Sequence, residues 1–117
     1  MASRVDVLQN AQTAAANGKV VPLIGDHGIL NAEIQETNGG TATATVTFEG
    51  SFDGVTWYAA GYQPINSATL TRSVTGVSVT ASAKAAYQIL DFYPQIRARV
   101  SSPANSATVT VKLYSGA

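Results

Sequence analysis

The chain has 117 residues, only 12% of them charged, and its seven basic and seven acidic side chains cancel at neutral pH. No basic cluster marks a nucleic-acid surface, the lack of cysteine excludes disulfides and thiolate metal sites, and no apolar run is long enough to cross a membrane. One domain is expected, and a charge density well under the ~25% usual for globular chains suits a subunit whose faces are covered in an assembly, the alternative being a monomer with threonine-faced sheets.

Taken in order, the N-terminal MASRVDVLQN lacks the apolar core of a signal peptide, so a cytoplasmic product is expected. Residues 3–8 alternate weakly through Val5 and Val7 and read as a short edge strand. Residues 10–17 are alanine-rich but too thinly apolar to bury a helix. Residues 1–17 are therefore taken as an N-terminal arm or edge strand, ahead of a β-sandwich domain over 18–117. Pro22 confines residues 19–24 to a sheet edge or strand end, and Gly25-Asp26-His27-Gly28 is a turn. Residues 29–37 alternate cleanly, with Leu30, Ala32 and Ile34 opposite Asn31, Glu33 and Gln35. Asn38-Gly39-Gly40 turns the chain again.

The strongest pattern follows, TATATVTFEGSFDGVTWYAA over 41–60. Even positions from Ala42 to Phe52 are small or apolar and odd positions polar, the signature of a strand with one face buried. Asp53-Gly54 tolerates the positive φ of a tight hairpin turn. A two-residue loop pairs Phe52 with Val55, Gly50 with Trp57 and Phe48 with Ala59. Trp57 then lies over Gly50 in the core, and Phe48, Gly50, Phe52, Asp53, Gly54 and Trp57 form the fold-making set. Residues 61–67 read as a loop, 68–74 and 77–81 as two short strands around Thr75-Gly76, and 84–90 as another strand. Ile96, Ala98 and Val100 point inward from a strand whose Arg97 and Arg99 share the outward face. A turn is expected over 101–105, and Ala107, Val109, Val111 and Leu113 give the last strand its buried face. Seven to ten short strands with no helix predict an all-β antiparallel sandwich of jelly-roll type.

No catalytic constellation is visible, and no cofactor or metal is expected. His27 is the sole histidine; with Asp26 and Glu33 it makes a poor metal set and reads as a turn residue. No G-x-S-x-G elbow presents a serine. Glu33 and Glu49 fall at outward strand positions, where solvated carboxylates are the default. Tyr58, Tyr62 and Tyr114 are candidate contact residues for a neighbouring subunit or a carbohydrate. Arg97 and Arg99 are candidate anchors for an acidic partner surface, or a solvated strand face.

The segment SFDGVTW resembles the S-x-D-G-x-x-W hairpin of many β-sandwiches, including discoidin-like and fibronectin-like modules. Together, TATVTFEGSFDGVTWYA and QIRARVSSPANSATVTVKLYSG are similar to small tailed-phage virion proteins. The resemblance spans roughly residue 29 to the C-terminus. It implies a virion component, above all a capsid decoration protein bound to the major capsid protein or other virion proteins and assembled as a homotrimer. The competing expectation is a carbohydrate-binding module of a host-recognition structure.

Overall fold

The alternating segments become two antiparallel sheets in a computed structural model that describes residues 4–23, 29–65, 68–80 and 84–116. The strands are β1 (Arg4–Gln12), β2 (Val21–Pro22), β3 (Ile29–Glu36), β4 (Thr43–Ser51) and β5 (Tyr58–Ala59). They continue with β6 (Tyr62–Pro64), β7 (Val77–Thr80), β8 (Lys84–Ile89), β9 (Gln95–Ala104) and β10 (Val109–Gly116). One sheet has the order β1-β10-β3-β8-β6 and the other β2-β9-β4-β5, with β7 also paired to β4. First strand beside last, and second beside ninth, is the interleaving of a jelly roll.

The core lies between the sheets. Leu30, Ala32 and Ile34 of β3 and Val109, Val111 and Leu113 of β10 face Val46 and Phe48 of β4 and Ile96, Ala98 and Val100 of β9. Each set occupies alternate positions on its strand, so the period of two read from the sequence is the packing itself. Phe48 meets Tyr62 edge-on with ring centroids 5.4 Å apart, and Tyr62 meets Tyr87 at the same distance. Burial, with Tyr62 nearby, raises the Tyr87 phenol above its ordinary value of 10.0.

Several boundaries differ from the sequence expectations. The N-terminal segment forms a nine-residue edge strand along β10, running past residue 8 to Gln12. Leu8 and Gln9 are buried, and the Gln9 amide donates to the carbonyl of Ala98 on the other sheet at 2.8 Å. Ala16 then exchanges backbone hydrogen bonds with Val100. Residues 4–12 and Ala16 thus pack as part of the sandwich. Residues 68–74 form no strand beyond the bridge from Ser73 to Tyr62, β5 keeps only two residues of the expected return strand, and β6 occupies ground read as a loop. Strand β9 runs on to Ala104, with the register against β4 slipping between Thr43 and Thr45 so that Pro103 sits in the irregularity. The turn expected at Asp26 and His27 lies outside the described residues.

Candidate functional site

The hairpin after β4 departs most from the sequence reading, and it builds the most exposed aromatic surface. Gly50 pairs with Tyr58 and Glu49 with Ala59, one residue away from the expected register. The cause is local. The Asp53 carboxylate accepts the backbone N–H groups of Val55 at 2.8 Å and Thr56 at 2.9 Å, and the Ser51 hydroxyl accepts that of Gly54 at 2.8 Å. These bonds draw residues 52–56 into a wider loop. Only Gly54 there has positive φ, +78°, whereas the expected two-residue turn needs it at both central positions.

A slip of one residue turns every side chain to the other face. Trp57 therefore leaves the core and lies half-buried on the outer face of the second sheet. The space over Gly50 is filled by the ring of Tyr93, which a Cβ at that position would overlap. Phe52, expected inside, is 66% exposed, and Val55 at the loop tip is 81% exposed. Phe52 and Tyr93 have ring centroids 5.1 Å apart, and Tyr58 stacks on Tyr93 at 6.3 Å with the planes 10° apart. Phe52 and Tyr58 thus cap one end of the sandwich with exposed rings, packed on the partly buried ring of Tyr93.

Beside this cap runs a charged ladder. The Arg97 guanidinium lies 4.0 Å over the Trp57 ring and donates through Nε to Glu49 Oε1 at 2.9 Å. Arg99 Nε donates to Glu49 Oε2 at 3.2 Å. The two arginines share the outward face as the alternation implied, but Glu49 is no solvated carboxylate: it bridges both. Arg97 is only 14% exposed and is held by internal partners, while Arg99 keeps 40% of its side chain open. Of the proposed anchors, Arg99 alone remains presented to a partner.

The candidate tyrosines separate. Tyr58 is in the end cap. Tyr62 is a core residue, its hydroxyl donating to the Thr75 carbonyl at 2.6 Å. Tyr114 is exposed on the outer face of the first sheet, opposite Asn31 and Val5. They form no common platform. Sequence reasoning missed the contribution of Tyr93, because a residue next to Pro94 in a loop carries no periodic signal.

Hydrogen bonds from Thr56 and Val55 hold the Asp53 carboxyl below its ordinary value of 3.8. A depressed value means the loop geometry is favoured fully above pH 3.8 and released as pH falls through the lower folded value. We expect the amide resonances of Val55 and Thr56 to shift cooperatively in acid below that point, and Asp53→Asn to abolish the titration. A flat response in the parent protein would show that the carboxylate does not hold the loop.

No protein-family model matches the chain, and no curated protein sequence does. Among solved structures, the crystal structure of SPBc2 prophage-derived protein YomS is similar, with a TM-score of 0.74 at 16% sequence identity, covering 97% of this chain and 92% of that one. At this identity the likeness establishes a shared fold.

Proposed function

We propose that the chain is a structural component of a tailed-phage particle, a decoration protein that docks on the capsid shell through the aromatic end cap and Arg99. The observation behind this reading is the cap itself. Phe52, Val55 and Tyr58 expose large apolar surface together, beside a tryptophan–arginine stack, and tyrosine, tryptophan and arginine dominate the energetics of protein interfaces. The low charge of the chain adds to it. The shared fold with a prophage-derived protein and the resemblance to small virion proteins support the phage assignment. Three copies around a three-fold position on the shell are the assembly that this resemblance suggests.

The test is co-sedimentation of purified protein with capsids of the phage whose genome carries the gene, together with mass spectrometry of native particles. A Phe52→Ser, Tyr58→Ala double variant should lose at least tenfold in capsid affinity, since two truncated interface aromatics commonly cost about 2 kcal/mol or more. Its melting temperature should stay within a few degrees of the parent, because both side chains are exposed. Particles that lack the protein would defeat the virion reading, and undiminished binding of the double variant would defeat docking through the cap.

A further inference from the structure

The outer face of the first sheet, remote in the fold from the end cap, holds a polar depression of about 260 Å³ lined by Asn10, Glu33, Gln35, Lys84, Thr110 and Lys112. We infer that it is a binding site for a carboxylate-bearing sugar unit, such as a uronic acid residue of a glycan.

The depression has a structural origin. The register of β1 on β10 slips between Val7 and Gln9 and again between Gln9 and Gln12, with Ala11 at a φ of 49°. These bulges bend the edge strand locally, and Asn10 forms a wall above the flat floor of β10, β3 and β8. On that floor Lys112 lies opposite Glu33, and Gln35 lies opposite both Thr110 and Lys84. The side chains point the same way and converge from four strands.

Their chemistry selects the ligand. Lys84 approaches Glu33 at 3.7 Å. Among the described residues, no hydrogen bond or ion pair occupies the side chains of Asn10, Gln35 or Lys112. Two ammonium groups and one carboxylate leave a single net positive charge. That balances a carboxylate monoanion better than a phosphate monoester, which carries about −1.5 to −2 at neutral pH. Two amides and the Glu33 carboxylate supply the directional donors and acceptors that ring hydroxyls require. The volume lies below the roughly 300–1,000 Å³ of sites for drug-sized ligands, so it fits one sugar ring. Tyr114, two residues beyond Lys112 on the same face and about 7 Å along the strand, offers an exposed ring at the rim.

The experiment is a titration of the full chain, followed by amide NMR, with glucuronate, glucose and glucose 6-phosphate. Saturable shifts centred on Gln35, Thr110 and Lys112 are expected with glucuronate, with glucose at least about tenfold weaker, as the loss of a charge-assisted contact implies. Lys112→Gln and Gln35→Ala, both surface changes that preserve the fold, should each weaken glucuronate binding by a similar factor. Failure of glucuronate to saturate, equal binding of glucose, or tighter binding of glucose 6-phosphate would each overturn the assignment. Unaltered binding in both variants would overturn the site. Capsid co-sedimentation should be indifferent to either variant, which keeps this inference separable from docking through the cap.

Discussion

Truncating Phe48 to alanine is expected to lower stability by about 3–5 kcal/mol, the range for a buried aromatic deletion, while Trp57→Ala should cost only about 1–2 kcal/mol. Phe48 is 1% exposed at the centre of the sandwich and anchors an edge-on contact with Tyr62 and a tilted one with Tyr87. Its removal leaves a cavity that backbone on both sheets prevents from closing. Trp57 loses only its stack under Arg97 and a half-buried contact area, and Arg97 keeps its bond to Glu49. For a domain of this size the Phe48 change corresponds to a fall in melting temperature of roughly 10–20 °C. Urea denaturation of both variants decides the matter, with acrylamide quenching of Trp57 as an independent probe of its exposure. A larger loss at Trp57 than at Phe48, or an unquenched tryptophan, would restore the register in which Trp57 lies over Gly50.

The same contrast explains what could be read from the sequence. Strands β3, β4, β9 and β10 were legible because each buries one face along most of its length, and burial writes a period of two into the residues. The pairing of β1 with β10 was not, since alternation fixes which face is buried but not which strands become neighbours. The Trp57 register failed for a different reason. Apolar parity alone favoured a two-residue loop, but three hydrogen bonds to the Asp53 and Ser51 side chains outweigh it and widen the turn. Once the loop is wider, the same sequence puts tryptophan outside and leaves Tyr93 to fill the gap at Gly50. The outward parity of Arg97 and Arg99 was readable, and so was that of Glu49 beside them. Their pairing into one ladder needed the β4–β9 register, which sets Glu49 directly opposite Arg97 and Thr47 opposite Arg99.

Glu36→Ala is expected to destabilise the protein by about 3–5 kcal/mol, as much as a core aromatic, though the side chain is polar. Glu36 follows Leu30, Ala32 and Ile34 at the inward positions of β3 and is completely buried. Its carboxylate accepts the backbone N–H groups of Gly39 at 2.6 Å, Asn38 at 2.7 Å and Thr108 at 3.0 Å. One side chain thus satisfies donors in the β3–β4 turn and at the start of β10, where Thr37 also donates to the Thr108 carbonyl at 2.9 Å. Alanine leaves three part-buried backbone donors without that acceptor, and an unmade bond in such a place costs more than a made one contributes. Glu36→Gln keeps the shape and one acceptor oxygen but turns an NH₂ toward backbone donors, so about half the loss is expected. Glu33→Ala, three residues earlier, removes a partly exposed carboxylate 3.7 Å from Lys84 and should change stability by less than about 1 kcal/mol. Chemical denaturation of the three variants, with hydrogen exchange at Asn38, Gly39 and Thr108, separates the alternatives. Equal stability of Glu36→Ala and Glu33→Ala, or unchanged protection of those amides in Glu36→Ala, would mean that water serves the turn as well as the carboxylate does.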